Sequence, residues 1–333
     1  MADDAMRETP TAPMGGEPDG RRPLLEVRNL SMYFTTRKRG RTNTVKAVDD
    51  VSFNVYPGET FGMVGESGCG KTTCGRTIIR LYDPTAGQIL YNGRDISGRM
   101  TKEKRRYITE SIAMVFQDPI ASLNPRMTVQ EIIGEGLRIR GMDDPARREH
   151  AVVDMLERVG LQREHATRYP HEFSGGQRQR IGIARALVVR PSMIIADEPV
   201  SALDVSVQAQ VINLLNDLKD EFGLTILFIA HNLSVVKYFC DRIGVMYFGK
   251  MVELASSDEL FRNPCHPYTR ALLSAIPLPD PRSERRRVKI SYDPSAHQYD
   301  ERNRPSYHEV APGHLVYCSD QEFSEISRAD RAE

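Results

Sequence analysis

The sequence predicts an α/β fold with a parallel sheet, a smaller antiparallel β subdomain and a helical insertion. A glycine-rich loop, residues 65–72, follows the apolar run 60–64 and precedes the helix-like segment 73–81. Strand, loop and helix in this order form the unit from which open parallel sheets are built. Further apolar runs of strand length alternate with helical patterns. Several of these runs end in a polar side chain, as strands do at the ligand-binding edge of such a sheet.

The loop has the complete pattern of a phosphate-binding loop. Its sequence is Gly65-Glu66-Ser67-Gly68-Cys69-Gly70-Lys71-Thr72. Glycines let successive backbone N–H groups approach a polyphosphate, and the helix N-terminus adds its partial positive charge. Lys71 is expected to reach the β- and γ-phosphates of a nucleotide, and the Thr72 hydroxyl is placed to ligate Mg²⁺. We therefore expect this loop, together with Thr73, to bind the phosphates of a nucleotide.

The composition fits a soluble enzyme of about two domains. Lysine plus arginine and aspartate plus glutamate number 45 each, so no electrostatic attraction to nucleic acid is expected. No apolar run approaches the roughly 20 residues that cross a bilayer, and no apolar signal region follows the N-terminal charges. We expect the chain to stay in the cytoplasm. The five cysteines lack CxxC spacing, which favours reduced thiols over disulfides or zinc.

The chain is expected to begin with a disordered tail, residues 1–23, which is rich in Ala, Pro, Gly and charge. Alternating runs at 25–32 and 47–55 then predict two antiparallel strands, separated by a basic loop at 37–41.

Two kinds of side chain near these strands are candidates for contact with the nucleotide. Tyr33 and Phe34 lie where the first strand ends; an aromatic ring there is most often core, but either ring could stack on adenine. Gln117 follows the buried run 111–116. At the carboxyl end of a parallel strand, its side chain is expected to face the nucleotide.

An all-helical insertion is predicted at about residues 118–175, with amphipathic stretches at 129–140 and 145–159. It closes on a short motif at the start of a predicted helix, 178–189. The motif is Ser174-Gly175-Gly176-Gln177. Ser-Gly-Gly at a helix start is a second candidate anion-binding N-terminus, although taken alone it could be a simple N-cap.

Two carboxylates, Asp197 and Glu198, end an apolar strand. Two acids at a buried strand end repel each other and lose hydration, so a cation or a reacting water is expected beside them. Asp197 suits Mg²⁺, and Glu198 suits a general base. His231 ends the apolar run 224–230. A lone histidine is more often structural, but this one repeats the placement of the other strand-end candidates.

Taken in order, these motifs resemble the nucleotide-binding cassette of ABC transporters over roughly residues 24–260. The set comprises residues 65–72, Gln117, 173–177, 194–198, 201–204 and His231. More narrowly, the segments 116–126 and 265–273 resemble the ATPases of oligopeptide/dipeptide importers, which extends the likeness to about residue 290.

The resemblance implies a P-loop NTPase core with a helical signature subdomain, a cassette at 24–262 and a short C-terminal extension at 263–333. It implies that Glu198 activates water and that His231 contacts the γ-phosphate. It also implies that Gln117 binds or senses the metal and couples to the membrane subunits.

The remaining roles implied by the resemblance concern the nucleotide and its second subunit. Ser174 and Gly176 would act on ATP held by the opposite cassette, with Gly175 and Gln177 in the same signature. Asp204 joins the ATP-binding set. Phe34 best matches the adenine-stacking position, with Tyr33 as the alternative.

The resemblance also implies ATP and Mg²⁺ as ligands and a peripheral location on the cytoplasmic face of the membrane. The implied partners are a second cassette, identical or related, two transmembrane permease subunits and an extracytoplasmic solute-binding protein. Two alternatives stay open: an importer for nickel or another small solute and, much less favoured, a soluble ABC ATPase acting on nucleic acid or ribosomes.

No iron–sulfur cluster is expected, although many peptide-importer ATPases end in a cysteine-rich segment. Only Cys318 follows Cys265 here, and a cluster needs about four thiolates. A zinc site could be imagined near Cys318 from His297, His308 and His314. Their irregular spacing instead favours a partly ordered surface extension.

Overall fold

The fold is that of a computed structural model, which describes residues 20–38, 41–276, 289–297 and 299–329. The expected N-terminal tail, residues 1–23, lies outside the described residues except for its last four.

The described chain alternates strands and helices. The strands are β1 (Leu25–Lys38), β2 (Arg41–Val55), β3 (Thr60–Val64), β4 (Ala86–Tyr91), β5 (Arg94–Asp95), β6 (Ile112–Val115), β7 (Met193–Asp197), β8 (Thr225–Ala230), β9 (Arg242–Tyr247), β10 (Lys250–Ser256), β11 (Ser306–Ala311) and β12 (His314–Cys318). The helices are α1 (Lys71–Ile78), α2 (Lys102–Ser111), α3 (Val129–Ile139), α4 (Pro145–Arg158), α5 (Gly175–Leu187), α6 (Val205–Phe222), α7 (Leu233–Phe239), α8 (Ser257–Arg262), α9 (Pro267–Ser274) and α10 (Asp320–Ala329).

The strands form two sheets. The larger has the order β11-β12-β10-β9-β3-β8-β7-β6, and its strands β9, β3, β8, β7 and β6 are parallel. The smaller, β2-β1-β4-β5, is antiparallel throughout. The predicted α/β fold, with a parallel sheet and an antiparallel subdomain, is therefore confirmed.

The parallel strands have apolar side chains on both faces because both faces are covered. In β7, Ile194 and Ala196 pack into a core with α5 and α6, while Met193 and Ile195 pack into a second core with the antiparallel sheet. Every residue of β3, β7 and β8 is buried. This double burial fixes the strand ends at which the candidate site residues lie.

The helical insertion has clear start signals. Thr128 and Glu131 form a reciprocal capping box at the start of α3, and Asp144 caps α4, whose first residue is Pro145. Helices α3 and α4 pack on each other and on α5. The insertion thus carries the start of α5 as part of one packed helical unit.

The predicted bounds of the loop between the first two strands differ from the structure. The predicted basic loop at 37–41 is too long, since β1 runs to Lys38 and β2 starts at Arg41. This outer part of the hairpin is exposed on both faces between residues 35 and 37, so hydrophobic alternation gave no signal there.

The C-terminal extension is not a surface appendage. Strand β12 pairs with β10, in the register Glu253 to Val316, and so extends the main sheet. His314 and Cys318, expected in a surface extension, are buried. The short run Leu315–Val316 gains its burial from pairing with a distant strand, which the local sequence does not reveal.

Candidate active site

The loop between β3 and α1 has a backbone that only glycine permits at two positions. Gly65 and Gly70 have φ angles of 150° and 112°. A Cβ atom on Gly65 would lie 2.2 Å from the carbonyl oxygen of Met246, and one on Gly70 would lie 2.1 Å from that of Ala47. At these two positions the loop therefore packs directly on the backbone of neighbouring segments, with no room for a side chain.

The ammonium of Lys71 lies inside this loop. Its Nζ donates to the carbonyl oxygens of Gly65 and Glu66, each at 2.8 Å, and lies 3.7 Å from Cys69 Sγ. The residue is only 3% exposed. Among the described residues Lys71 forms no ion pair with a carboxylate within 4.0 Å. A buried charge without a counter-ion favours an anionic ligand.

Asp197, at the end of β7, is fully buried beside the first turn of α1. The Thr72 hydroxyl donates to its Oδ1 at 2.8 Å, and the Arg76 guanidinium lies 3.8 Å from its Oδ2. Burial raises the pKa of this carboxyl above its ordinary value, although Thr72 and Arg76 act in the opposite direction.

Among the described residues, none donates a hydrogen bond to the Oδ2 atom of Asp197. An orphaned carboxylate oxygen next to a hydroxyl is a pair of hard oxygen donors of the kind that Mg²⁺ prefers. The residues present therefore fit the expected metal ion.

Glu198 lies one residue further on and is held by two side chains from neighbouring strand ends. Its Oε2 accepts from Gln117 Nε2 at 3.1 Å and lies 2.9 Å from His231 Nδ1. Its backbone is in the left-handed region, with φ at 45°, and its N–H donates to the carbonyl oxygen of Ile229. Such a backbone costs about 1 to 3 kcal/mol in a residue other than glycine and is concentrated at functional sites.

The strand ends thus bring Gln117, Asp197, Glu198 and His231 to the edge of the sheet from which the phosphate-binding loop also emerges. His231 is 49% exposed at its side chain, whereas Glu198 is nearly buried. The carboxylate is sheltered and the imidazole reaches towards solvent, so a ligand would meet both from the open side.

The signature residues lie elsewhere. Ser174 Oγ accepts from the Gln177 N–H at 3.3 Å and Gln177 Oε1 accepts from the Ser174 N–H at 3.0 Å, so both cap α5. A Cβ atom on Gly176 would come within 2.5 Å of Val207 Cγ1. Gly175 follows Ser174, and Asp204 caps α6 without a side-chain hydrogen bond. Within the described chain, no hydrogen bond joins these residues to the phosphate-binding loop.

The aromatic candidates have different environments. Phe34 is half-buried and packs edge-to-face on Tyr82, with ring centroids 5.3 Å apart. The Tyr33 hydroxyl donates to Asp49, and Lys46 Nζ lies 5.2 Å from the Tyr33 ring centre. Unlike Tyr33, Phe34 would therefore break no hydrogen bond of its own if its ring turned to stack on a nucleotide base.

Sequence reasoning missed two residues beside the site. Arg76 approaches Asp197, and the Tyr268 hydroxyl accepts the Glu66 N–H at 3.0 Å. Arg76 stands at helical spacing after Thr72, which could have signalled its position. Tyr268 lies 202 positions from Glu66, and no local pattern could have placed it there.

The histidines once considered for zinc do not converge on Cys318. His297 contacts Tyr292 and Glu322, whereas His308 contacts Ser306 and Asp320. His314 instead contacts Glu253 and Glu259.

Comparison with known proteins extends these observations. Residues 48–201 match the family described as ABC transporter, and residues 252–302 match the C-terminal region of oligopeptide/dipeptide transporters. The oligopeptide transport ATP-binding protein OppF of Bacillus subtilis (strain 168) is 60% identical over 305 residues, covering 91% of this chain and 99% of that protein. The dipeptide transport ATP-binding protein DppF of Lactococcus lactis is 52% identical, covering 90% and 95%. The chain belongs to the ABC transporter ATPases.

Solved cassettes agree with this membership. The dimeric post-hydrolysis state of the ATP-binding cassette MJ0796, bound to ADP and Pi, aligns with a TM-score of 0.63 at 28% identity, covering 70% of this chain and 98% of that one. CbiO1 of Clostridium perfringens, part of an ABC transporter complex, aligns with a TM-score of 0.62 at 27% identity, covering 72% and 91%. The resemblance drawn from the sequence motifs and the expectation of an ATPase are thus confirmed. In the described parts of the chain, no helix is long and apolar enough to cross a bilayer.

Proposed function

We propose that this chain is the ATP-hydrolysing subunit that powers a membrane importer of di- or oligopeptides. One observation carries the hydrolytic part: Lys71, the Thr72–Asp197 pair and Glu198 meet at one edge of the sheet. The peptide cargo rests on the relatives, since those named above are oligopeptide and dipeptide transport ATP-binding proteins. A cassette does not need to touch the cargo, so the assignment of a peptide cargo rests on the relatives and not on the geometry of this site.

In this proposal the loop, residues 65–72 with Thr73, binds the phosphates of ATP. The first N–H groups of α1 have no intrahelical partner and point to the ligand. Lys71 exchanges its two carbonyl contacts for phosphate oxygens, which supply the negative counter-charge for the buried ammonium. Phe34 stacks on adenine from the antiparallel subdomain.

Thr72 and Asp197, together with Gln117, would hold Mg²⁺ in this proposal. Bound there, the ion would supply positive charge against the phosphates of the nucleotide. The buried, unbonded Oδ2 of Asp197 supports this assignment. Gln117, whose amide donates to Glu198, would also sense the metal and couple the site to the membrane subunits.

Glu198 acts as the general base. Both side-chain contacts go to its Oε2, from Gln117 and His231, which leaves Oε1 without a protein partner among the described residues. That oxygen accepts a proton from the attacking water, while His231 orients the water and contacts the γ-phosphate. The two contacts hold the carboxylate in one orientation, as a positioned base requires.

We also propose that Ser174 to Gln177, with Asp204, serve ATP held by a second cassette. The hydrogen bonds of the signature stay within its own helix turn, and the related MJ0796 cassette was solved as a dimer. Two permease subunits and an extracytoplasmic solute-binding protein complete the assembly, with this chain on the cytoplasmic face of the membrane. No nucleic acid is involved.

Uptake in living cells tests this function. Cells lacking this chain should lose uptake of a labelled tripeptide and regain it with the wild-type chain, but not with the Lys71→Ala variant. Nickel accumulation, measured in the same cells, should not change. Loss of nickel uptake with intact peptide uptake would assign the chain to a different importer, and loss of neither would refute an import function for these cargoes.

A further inference from the structure

The C-terminal extension reaches the phosphate-binding loop with the side chain of Tyr268. Tyr268, in the first turn of α9, accepts the backbone N–H of Glu66 on its hydroxyl at 3.0 Å. The tyrosine is only 2% exposed. The hydrogen bond is partly buried: its acceptor is sheltered on the tyrosine, whereas Glu66 itself is exposed. Leaving such a donor unmatched still carries a cost.

The residue whose N–H contacts Tyr268 also contacts the lysine. The carbonyl oxygen of Glu66 accepts from Lys71 Nζ at 2.8 Å and from the Cys69 N–H at 3.3 Å. Tyr268 thus holds the N–H group of Glu66, while Lys71 and Cys69 of the loop hold its carbonyl oxygen. A shift of the Tyr268 hydroxyl would therefore move Glu66, to which Lys71 donates a hydrogen bond.

Tyr268 is itself fixed from the sheet. The buried Glu253 carboxylate of β10 accepts the N–H groups of Cys265 and His266 at 2.7 and 3.0 Å. His266 Nδ1 then accepts the Tyr268 N–H at 3.1 Å and so caps α9. Burial lowers the pKa of His266 to about 3, which keeps this ring neutral and able to accept.

The C-terminal hairpin completes the anchor. His314 Nε2, at the start of β12, lies 2.8 Å from Glu253 Oε1, and its Nδ1 lies 3.4 Å from Glu259. Ligand atoms of Glu253, Cys265 and His314 lie within 4.8 Å of one another, a spacing that a metal ion would also require. The Glu253 oxygens, however, already take two backbone N–H groups and the imidazole. The cluster therefore fastens α9 to the sheet.

Rings around Tyr268 limit its movement further. Its ring centre lies 4.5 Å from that of Tyr247 and 5.4 Å from that of Tyr292. The Tyr292 hydroxyl bonds to His297 within the extension, not to the loop. Tyr292 thus shares the packing of Tyr268 without its contact to the nucleotide site.

We propose that the C-terminal extension sets the shape of the phosphate-binding loop, with Tyr268 as the positioning residue. The proposal rests on the proposed ATP-binding role of this loop. A loop held in place before binding loses less conformational freedom when ATP arrives, so the contact strengthens ATP binding. It does not touch the group that activates water, and the turnover rate at saturating ATP is accordingly unaffected.

The Tyr268→Phe variant tests the proposal in the full-length chain. The ring and its packing stay, and only the acceptor is lost. The dissociation constant for a fluorescent ATP analogue and the KM for ATP should both rise about 2- to 10-fold, the worth of one hydrogen bond. The kcat should stay within about twofold. Tyr292→Phe is the matched control, and both ATP parameters should remain those of the wild type.

Hydrogen exchange supplies a readout that simple core packing would not move. In the nucleotide-free wild type the Glu66 amide should be protected, and in Tyr268→Phe its exchange should become at least about tenfold faster. Tyr292→Phe should leave it unchanged. The wild-type measurement needs no variant, so it decides the question even if Tyr268→Phe folds poorly.

Two results would overturn the proposal: unchanged ATP affinity and KM in a folded Tyr268→Phe protein, or an unprotected Glu66 amide in the wild type. Failure of the proposed function would look different. The wild-type chain itself would then neither bind nor hydrolyse ATP, whatever the exchange rate of Glu66.

Discussion

Replacing Glu198 with glutamine removes one negative charge and almost no volume. In the structure Glu198 Oε2 is held by Gln117 and His231, at 3.1 and 2.9 Å. A glutamine oxygen can still accept from Gln117, so the side chain should stay in place. The free Oε1 position, however, loses the charge that attracts a proton from water. Loss of a positioned base slows a reaction by about 10²- to 10⁴-fold.

This range corresponds to about 3 to 5 kcal/mol of transition-state stabilisation. Phosphate release under saturating ATP measures it directly, in parallel with a titration of ATP binding. Binding should match the wild type because Lys71 and the Thr72–Asp197 pair are unchanged. Glu157→Gln, on the exposed surface of α4, is the matched control and should hydrolyse ATP normally.

A Glu198→Gln protein that binds ATP and keeps more than about a tenth of wild-type turnover would refute the assignment of the base. A variant that has lost ATP binding would refute the inference that the carboxylate acts only on water.

Three further predictions concern binding, assembly and stability. Lys71→Ala should weaken ATP binding by about 10- to 100-fold, because a charged hydrogen-bond donor is lost; equal affinities in a fluorescence titration would contradict this. If the signature acts across two cassettes, mixing Ser174→Arg with Lys71→Ala chains should restore ATPase activity beyond the sum of the two proteins, since one site carries both defects and the other neither. If the natural partner is a different cassette, one mutation is placed in each of the two chains. An assembled dimer that is as inactive as its two components would contradict a site composed of residues from both cassettes. His314→Gln should destabilise the fold most below about pH 6.5, and denaturant unfolding at several pH values should show this gap closing towards pH 10.

The pH window of the last prediction follows from the surroundings of His314. Burial disfavours its charge, but hydrogen bonds with Cys265 and Glu253 and the negative charge of Glu253 prevail and raise the pKa of His314 to about 10. The folded protein therefore holds this proton more tightly than the unfolded chain, whose histidine has a pKa of about 6.5. Its stabilising effect is complete below the lower value and is lost as the pH rises through the upper one. A gap that does not change with pH would contradict the ion pair.

Much of the fold could be predicted because local sequence and burial agree. The run 60–64 is the strand β3, and α3 starts at Val129 as its pattern predicts. Apolar strands buried on both faces and capped helices leave strong local signals. The candidate site followed from the same signals, because parallel strand ends must share one edge of the sheet.

The features that could not be predicted depend on contacts between segments far apart in the sequence. Strand β12 pairs with β10, which lies far from it in the sequence, and Tyr268 reaches Glu66 from α9, which Glu253 anchors to the sheet. The left-handed backbone of Glu198 is likewise invisible in the sequence, since it depends on a hydrogen bond to Ile229 in the adjacent strand. Such features come from contacts between segments and have no local periodicity.

The most direct measurement uses liposomes that hold the assembled transporter, with ATP on the side of the cassettes. ATP consumed and labelled oligopeptide taken up are recorded together for the wild type and for Glu198→Gln. The wild type should do both, and in the variant both should fall together by at least about 100-fold while ATP still binds. Peptide uptake that continues without ATP hydrolysis, or hydrolysis by the wild type that moves no peptide, would contradict an ATP-powered peptide importer.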